Sequence, residues 1–354
     1  MKSWLATNLQ LYLKITSRVM RIEKIQGDAS YRIYSRIFLE DGSTYILMQM
    51  PKGKSEASEE ITNLSSSASR IKEIPFINIQ KTLQTRGLPV PKVFWYDTNE
   101  SALLLEDLGA ASLASQLDLE SGPKKLARYR QSIDLLVKME QVMTPQDNSC
   151  IAYQRSFDET LLNWEFHHFL EYGIEARLGH PLSVAARNDF IAVAARFTQK
   201  ILKIPVGFLH RDYQSRNLMI RNDQLYLIDF QDALMGPYLY DLVALLRDSY
   251  SSLDAEELKS LIEYYQSQRI HYFGRADTTD DIWDYFHLLT VQRKLKDAGR
   301  FVYIDRVKDN PNFLKFIPTS LRYAKQSLGV LNKIREGQIL NDFIQARLPE
   351  WDTL

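Results

Sequence analysis

The sequence predicts an α+β protein of two lobes, a small lobe built on an antiparallel sheet and a larger, mainly helical lobe. Residues 22–50 alternate apolar and polar side chains as strands do, and Asp41-Gly42 offers a hairpin turn among them. Beyond residues 106–109 the apolar side chains recur mainly at helical spacing. A chain of 354 residues is long enough for two such units.

The small lobe is predicted to span residues 1–105, and it begins with an amphipathic helix over residues 1–20. After the strand-like region, residues 52–72 are polar and rich in serine, which indicates a loop insertion rather than a packed element. Helical spacing returns over residues 74–86, where a glycine and a proline then end the predicted helix.

Two further strands complete the predicted sheet, at residues 90–96 and 102–105. Residues 106–109, with the sequence Glu-Asp-Leu-Gly, follow directly and are predicted to form a hinge. The helical lobe then covers residues 110–354. We expect a ligand in the cleft between the lobes, because binding sites commonly form at such boundaries.

The composition disfavours several classes of function. The 44 basic and 44 acidic residues cancel, so the net charge favours neither a nucleic-acid partner nor a membrane surface. The single cysteine, Cys150, rules out an intramolecular disulfide and a multi-cysteine metal site, and it indicates a cytoplasmic location. The sequence shows no signal peptide, no apolar membrane span and no coiled-coil heptads, so a monomer is expected.

One segment, residues 208–230, has a pattern typical of phosphoryl-transfer enzymes. Its sequence FLHRDYQSRNLMIRNDQLYLIDF places His210, Asp212 and Asn217 in an H-x-D-x-x-x-x-N arrangement, and Asp229 follows an apolar, strand-like run. The alternative is a polar turn whose Asp and Asn only cap backbone groups. The agreement of loop, strand pattern and later aspartate favours the catalytic interpretation.

The residue types in this segment match the chemistry of phosphoryl transfer. Asp212 is the predicted catalytic residue, a carboxylate that accepts or orients the proton of a substrate hydroxyl. Asn217 and Asp229 are the predicted metal ligands, because amide and carboxylate oxygens hold Mg²⁺ on nucleotide phosphates. His210 and Asp241 are expected to brace the loop through hydrogen bonds.

Several segments resemble the aminoglycoside phosphotransferase and choline kinase-like family. They are HRDYQSRNLM in the predicted catalytic loop, IDFQDALMGPYLYDLVALLRDSY after it, and VQRKLKDAGRF later in the chain. Within this family, Gln231-Asp232-Ala233 and the pair Gln292-Arg293 with Lys296 resemble the kinases of N-acetylmuramate and N-acetylglucosamine in bacterial cell-wall recycling. The resemblance extends over residues 20–330.

This resemblance implies a protein-kinase-like bilobal fold and an enzyme that uses ATP and Mg²⁺. The implied reaction is phosphorylation of the anomeric C1 hydroxyl of N-acetylmuramate, N-acetylglucosamine or both. Two alternatives stay open: a kinase of an aminoglycoside or another hydroxyl-bearing metabolite on the same fold, and a nucleotide-binding regulator with little turnover. A protein kinase is disfavoured, because Gly236-Pro237 follows Asp229 too closely to leave room for a peptide-docking activation loop.

The resemblance also implies the residues that bind the nucleotide. They combine a short loop that would cover the phosphates, a neighbouring arginine and two hinge residues. For the loop the alternative is a simple hairpin turn, and for the arginine it is a solvated strand position. The implied set is Gly27, Asp28, Ala29, Ser30, Arg32, Glu106 and Leu108.

The third predicted strand, residues 44–50, departs from the usual kinase pattern. Kinases commonly carry a lysine there, which contacts the α- and β-phosphates and pairs with a helix glutamate. This strand instead holds Met48, Gln49 and Met50. The missing lysine is the observation that keeps the regulator alternative open.

Four residues are predicted to contact the acceptor substrate. Asp232 would accept a sugar hydroxyl or face a second metal ion, and its alternative role is to cap a turn. Glu165 would bind substrate or else face solvent beside an aromatic stripe. Arg293 and Lys296 would pair with the lactyl carboxylate of a muramic acid, or else lie on a solvated helix face.

Overall fold

A five-stranded antiparallel sheet forms the first lobe, as the alternating pattern predicted. The computed structural model of the chain describes residues 2–25, 32–50, 73–275 and 277–354, so the predicted insertion at 52–72 and the loop residues 27–30 lie outside the described residues. The strands are β1 (Val19–Ile25), β2 (Ile33–Leu39), β3 (Thr44–Gln49), β4 (Val93–Asp97) and β5 (Ala102–Glu106), in the spatial order β1-β2-β3-β5-β4.

The two faces of this sheet pack against different partners. One face lies under helix α1 (Lys2–Leu13), where Leu5 joins a buried cluster with Leu47 and Trp95. The opposite face carries Met48, which is fully buried in the core shared with the helical lobe. Successive strand residues point to opposite faces, and Leu47 and Met48 therefore belong to different cores.

Helix α1 is shorter than the predicted helix over residues 1–20. It ends at Leu13, and Lys14 adopts a left-handed φ of 58° that the helix cannot continue. Val19 fits the apolar spacing of the helix, but it begins β1 and pairs with Leu39 of β2. Pairing along the sheet edge supplies the backbone hydrogen bonds that a longer helix would have made.

The turn between β2 and β3 matches the predicted hairpin. Gly42 has φ of 82°, a conformation that glycine adopts without steric cost. The Asp41 carboxylate accepts hydrogen bonds from the backbone N–H and the hydroxyl of Ser43, at 2.9 and 2.6 Å.

The segment predicted as a hinge is held by charged side chains. Arg36 of β2 donates two hydrogen bonds to the Asp107 carboxylate, at 2.7 and 3.1 Å, and a third to the Gly109 carbonyl at 2.8 Å. Arg221 donates to the Glu106 carboxylate at 2.6 Å. Contacts from both sides of the cleft therefore fix residues 106–109.

The rest of the chain is mainly helical, and no helix in the described part of the chain is long and apolar enough to cross a membrane. The helices are α2 (Pro75–Thr85), α3 (Leu113–Leu117), α4 (Gly122–Met143), α5 (Glu159–His168), α6 (Ala176–Leu178), α7 (Val184–Ile201), α8 (Tyr240–Leu246), α9 (Ala255–Phe273), α10 (Thr279–Lys308), α11 (Ile317–Val330) and α12 (Arg335–Gln345). A π-helical stretch, Phe169–Glu175, joins α5 to α6. Short 3₁₀ turns lie at Ile151–Gln154, Ser215–Asn217, Pro311–Phe316, Leu331–Lys333 and Pro349–Thr353.

Two small two-stranded sheets within the helical lobe carry the predicted catalytic segment. Strand β6 (Val206–Leu209) pairs with β9 (Leu234–Pro237), and β7 (Leu218–Arg221) pairs with β8 (Gln224–Leu227). The loop of residues 210–217 runs from β6 to β7, while the chain returns from β8 to β9. The loop and the returning segment consequently lie side by side.

Candidate active site

The backbone of the loop 210–217 is held by a buried carboxylate. Asp241, on the first turn of α8, accepts hydrogen bonds from the backbone N–H groups of His210 and Arg211, at 2.6 and 2.9 Å. Arg211 takes a left-handed φ of 76°, which turns the chain sharply before Asp212. Burial raises the pKa of Asp241 to about 7, against the lowering effect of these two hydrogen bonds. The expectation that Asp241 braces the loop is confirmed.

His210 links the loop to the returning segment. Its Nε2 lies 3.0 Å from the Ile228 carbonyl, the residue just before Asp229. Burial lowers the pKa of His210 to about 4, so the ring is neutral at pH 7 and Nε2–H donates to this carbonyl. This contact confirms that His210 braces the loop.

Asp212 is held in place yet remains accessible. Its Oδ1 lies 3.3 Å from the Arg293 guanidinium, which also donates to the Arg211 carbonyl at 2.9 Å. The Asp212 side chain is 27% exposed, whereas that of Arg293 is 2% exposed. The carboxylate therefore faces the cleft from a fixed position, with a buried positive charge behind it.

Asn217 lies beside Asp212 with its amide oriented by the loop itself. Its Nδ2 donates to the Asp212 carbonyl at 2.9 Å. Because a carbonyl can only accept a hydrogen bond, this contact identifies the nitrogen end of the Asn217 amide. The Asn217 Oδ1 is left for another partner. The Asn217 carbonyl accepts from the Ile228 N–H at 3.0 Å, which brings Asn217 next to the segment that carries Asp229.

Asp229 projects from a strained turn into the cleft. It has φ of 63° and its side chain is 41% exposed. Its Oδ1 accepts from the Gln231 amide at 2.9 Å and lies 3.5 Å from the Arg32 guanidinium of the small lobe. The next residue, Phe230, is buried with its ring 4.9 Å from that of Phe76 in α2.

The donor set of Asn217 and Asp229 fits Mg²⁺ bound together with a nucleotide. Mg²⁺ prefers oxygen ligands and usually keeps several waters, so one or two protein ligands suffice when phosphates supply the rest. No group of three or more His, Cys, Asp or Glu side chains within the described ranges forms a metal cage by itself. A site completed by phosphate oxygens is the kind that these two residues can make.

Asp232 and Gln231 contribute buried acceptor atoms next to Asp229. Asp232 Oδ1 and Gln231 Oε1 are buried without a hydrogen-bond partner among the described residues. Burial raises the pKa of Asp232, against the lowering effect of Arg211 and Arg32. Arg155 fixes this segment by donating to the Gln231 carbonyl at 2.9 Å. The two acceptors can receive hydroxyl or amide donors.

Glu165 lies inside the protein rather than at its surface. It is completely buried and accepts hydrogen bonds from Arg211 at 3.1 Å and from the Gln292 amide at 2.5 Å. The alternative that it faces solvent is therefore wrong. Because each of its oxygens has a donor, Glu165 connects α5 and α10 to the catalytic loop.

Arg293 and Lys296 are also interior residues, so the alternative of a solvated helix face is wrong for both. The Arg293 guanidinium is occupied by Asp212 and the Arg211 carbonyl. Lys296 Nζ lies 3.5 Å from Asp297. Burial lowers the pKa of Lys296, but the nearby Tyr240, Glu165 and Asp297 raise it further, so the net shift is upward and the ammonium keeps its charge.

The side chains of the hinge residues are not free for a ligand, because that of Glu106 is hydrogen-bonded and that of Leu108 is buried. The Glu106 carboxylate accepts from Arg221 and, at 3.2 Å, from the Lys92 N–H, while Leu108 is buried. The Glu106 backbone N–H donates to the Lys92 carbonyl at 2.9 Å, so the backbone of Leu108 is what the two residues offer a nucleotide base. The other predicted nucleotide-binding residues are Arg32, which reaches Asp229, and residues 27–30, which lie outside the described residues.

Sequence reasoning missed a second carboxylate that braces the loop. Asp248 accepts from the backbone N–H and the hydroxyl of Ser215, at 2.8 and 2.5 Å, and is almost completely buried. It lies seven residues after Asp241, just beyond α8. A pair of acids at this spacing in an otherwise apolar stretch was the signal that could have revealed it.

A model of one protein family, described as the phosphotransferase enzyme family, matches residues 21–277. Among curated proteins, an N-acetylmuramate/N-acetylglucosamine kinase of Neisseria meningitidis serogroup B is 29% identical over 309 residues, which cover 84% of this chain and 85% of that protein. A Pseudomonas putida protein of the same name is 27% identical over 308 residues, covering 86% and 82% of the two chains.

Solved structures give the same fold at much lower sequence identity. An ADP-bound aminoglycoside phosphotransferase superposes with a TM-score of 0.60 at 13% identity, covering 91% of this chain and 98% of its own. An ethanolamine kinase of Plasmodium vivax gives 0.57 at 13% identity, covering 86% and 81%. These likenesses confirm the predicted bilobal, protein-kinase-like fold.

Proposed function

The chain belongs to the phosphotransferase enzyme family, and on that premise we propose that it transfers the γ-phosphoryl group of ATP to the anomeric C1 hydroxyl of N-acetylmuramate, N-acetylglucosamine or both. The observation that carries this proposal is the arrangement of Asp212, which pairs a fixed carboxylate with an opening to the cleft. The names of the curated relatives support an amino sugar as the acceptor.

In this proposal Asp212 accepts the proton of the sugar hydroxyl as the oxygen attacks phosphorus. Arg293 holds the carboxylate in the orientation that this transfer needs, and the Arg211 carbonyl ties Arg293 to the same loop. General-base assistance of this kind typically contributes about 10²- to 10⁴-fold to the rate.

Asn217 Oδ1 and the Asp229 carboxylate would hold Mg²⁺ with the nucleotide phosphates. The metal ion, when bound, neutralises charge on the transferring phosphoryl group. The contribution of this chain is to fix the two oxygens beforehand. The Asp212 carbonyl orients the Asn217 amide, and Gln231 orients Asp229.

We further propose that residues 1–105 and 110–354 form the two lobes around this cleft, with ATP held by residues 27–30, Arg32 and the backbone of the hinge 106–109. Asp232 is the best placed of the four predicted substrate residues, since its Oδ1 and the adjacent Gln231 Oε1 are acceptors that sugar hydroxyl and acetamido groups can satisfy. A monomeric, cytoplasmic enzyme of cell-wall sugar recycling, with no nucleic-acid or membrane partner, is the setting that we infer.

The buried ion pairs favour an amino sugar over a cationic aminoglycoside. A polycationic acceptor would need several uncompensated carboxylates. Glu165 is paired with Arg211 inside the protein, and Asp232 is the one predicted substrate carboxylate with an oxygen that lacks a hydrogen-bond partner among the described residues. Likewise Arg293 is committed to Asp212, which leaves Lys296 as the candidate partner for a lactyl carboxylate. We therefore infer that the acceptor site binds hydroxyl groups better than it binds charged groups.

The direct test is ³¹P NMR of the purified protein with Mg-ATP and, separately, N-acetylmuramate, N-acetylglucosamine and kanamycin. We expect an anomeric sugar phosphate signal with either amino sugar, its loss in Asp212→Asn, and its retention in the matched control Asp118→Asn, an exposed carboxylate at the end of α3. Product with kanamycin alone would place the protein among the aminoglycoside kinases. ATP binding without any product would favour the regulator alternative.

A further inference from the structure

The cleft face of the small lobe lacks the positive charge that its third strand would be expected to supply. Strand faces alternate, and Met48 of β3 points with Ile46 toward the core shared with the helical lobe, whereas their neighbour Leu47 points under α1. Gln49 is on the same face as Leu47. The position from which a strand lysine would reach a nucleotide is therefore occupied by the fully buried, uncharged Met48.

Among the residues that the structure describes, the helix that follows β3 does not supply the usual glutamate partner of such a lysine either. Helix α2 packs against the segment after Asp229 through Phe76 and Phe230, and its sequence, PFINIQKTLQT, contains no acidic residue. Its buried polar side chains bond elsewhere: Asn78 to the Ser149 carbonyl and the Ile151 N–H. The sheet and the helix thus lack both members of the lysine–glutamate pair that kinases commonly use.

Arg32 brings a cation to this same face from the neighbouring strand. It immediately precedes β2, and Tyr34, two residues further on, pairs directly with Met48. Residues two apart on a strand share a face, so Arg32 lies diagonal to Met48 across the strand pair. The Arg32 guanidinium hydrogen-bonds the Tyr34 hydroxyl and crosses the cleft to Asp229, 3.5 Å away.

We propose that Arg32 takes the role of the absent strand lysine: its guanidinium binds the nucleotide phosphates, and nucleotide binding exchanges its contact with Asp229 for contacts with phosphate oxygens. This inference rests on the proposed function and specifies the role of Arg32 in it. A guanidinium suits phosphate oxygens because its N–H groups form a planar fork. The Arg32 side chain is only 12% exposed, so it approaches the phosphates from a fixed direction.

The charges on the two sides of the cleft explain the exchange of partners. Asp229 and Asp232 are the carboxylates that attract Arg32. When Asp229 serves as a metal ligand, its charge is shared with the cation and its attraction for Arg32 weakens, while the phosphates bring new negative charge. Arg32 can then turn to the phosphates with little movement of the sheet.

The test is calorimetric binding of ATP, ADP and adenosine, each with Mg²⁺, to the wild-type protein, Arg32→Gln and Arg21→Gln. Arg21 is a matched control, since it lies in the same lobe on β1 with its side chain 60% exposed and its guanidinium over the Phe38 ring. We expect Arg32→Gln to bind ATP and ADP about 10- to 100-fold more weakly, the usual worth of a charge-assisted hydrogen bond. Adenosine affinity should not change, and Arg21→Gln should resemble the wild type.

Two further variants make the test specific. Arg32→Lys should retain part of the affinity for ATP, because it keeps the charge but loses the fork. In the double variant Arg32→Gln with Met48→Lys, a cation returns to the usual strand position, and partial recovery of ADP affinity is expected. If ADP affinity does not recover, the idea that a cation at position 48 can replace the one at position 32 is overturned.

The outcomes separate this inference from the proposed function. Equal ADP affinity in Arg32→Gln and the wild type would overturn the role of Arg32 alone. A wild-type protein that binds none of the three ligands would overturn the proposed function and this inference with it. If thermal denaturation shows that Arg32→Gln does not fold, Arg32→Lys is compared with the wild type instead. If the adenosine affinity of Arg32→Lys falls as much as its ADP affinity, that result contradicts phosphate binding by Arg32.

Discussion

The two sides of the cleft are held in very different ways. On the side of the helical lobe, the loop around Asp212 is tied by the buried carboxylates of Asp241 and Asp248, through hydrogen bonds of 2.5 to 2.9 Å. On the side of the small lobe, Arg32 reaches across a 3.5 Å contact to the partly exposed Asp229. The first side is fixed by buried hydrogen bonds, whereas the second, in our proposal, changes partners when nucleotide binds.

Under the proposed function, this difference corresponds to the tasks of the two sides. Proton transfer requires Asp212 within hydrogen-bond reach of one hydroxyl, so rigidity there benefits the rate. Binding and releasing a nucleotide requires contacts that form and break in every cycle, and weak pre-existing contacts lower the cost of that exchange. Each variant below changes one residue that holds one or both of these sides.

The largest effect is expected at Asp229, which belongs to both sides. Asp229→Asn keeps the shape of the side chain but removes the charge that holds Mg²⁺, so kcat should fall roughly 10³-fold, the scale of losing a main electrostatic contact at the reacting group. Steady-state kinetics over a Mg²⁺ titration would measure this loss. A variant restored to wild-type kcat by high Mg²⁺ would show a defect of metal affinity only, and unchanged kcat at every Mg²⁺ concentration would remove Asp229 from the metal site.

Removing a brace of the loop should affect stability as well as activity. In Asp241→Ala the N–H groups of His210 and Arg211 lose their buried acceptor, and one unsatisfied buried donor costs about 1–3 kcal/mol. We therefore expect the free energy of unfolding to drop by about 3 kcal/mol or more, measured by urea denaturation. The exposed Asp118→Asn should leave it unchanged, and equal stabilities of the two variants would contradict the bracing role.

The contrast between the two sides also explains what the sequence could predict. The catalytic pattern depends on short spacings, so Asp212 and Asn217 could be placed on one loop and His210 and Asp241 assigned as braces. The sheet followed from the alternation of residues 22–50. Such local signals need no knowledge of long-range packing.

Other features depend on contacts between distant parts of the chain. Arg293 lies 81 residues after Asp212, and nothing in its local sequence distinguishes a buried brace from a solvated helix residue. For the same reason the sequence left open whether Glu165 binds substrate or faces solvent. For Arg32 the resemblance implied nucleotide binding, but the residues alone could not choose this over a solvated strand position, because that choice depends on which face of β3 meets the cleft and on the register of β2 against β3.

Arg293 gives a further test of this comparison, because it would affect the reaction through its contacts with Asp212 and the loop. Arg293→Gln should lower kcat about 10- to 100-fold, the worth of one charge-assisted hydrogen bond, with little change in the KM for ATP. The acid limb of the kcat–pH profile should also move to higher pH, since the Asp212 carboxylate loses an adjacent positive charge. Arg293→Lys should recover part of both effects. A fall in kcat with an unmoved pH profile would indicate a structural role alone.

The smallest effect is expected at the hinge, where Arg36 holds Asp107 and the Gly109 carbonyl. Arg36→Gln should lower the free energy of unfolding by about 1 kcal/mol, because neighbouring contacts, such as that of Arg221 with Glu106, still fix the segment. The KM for ATP should rise a few-fold at unchanged kcat, since the hinge orients the nucleotide but does not touch the reacting groups. A fall in kcat as large as that of Arg293→Gln would show that the small lobe also positions the reacting groups, and the division of tasks between the two sides would then fail.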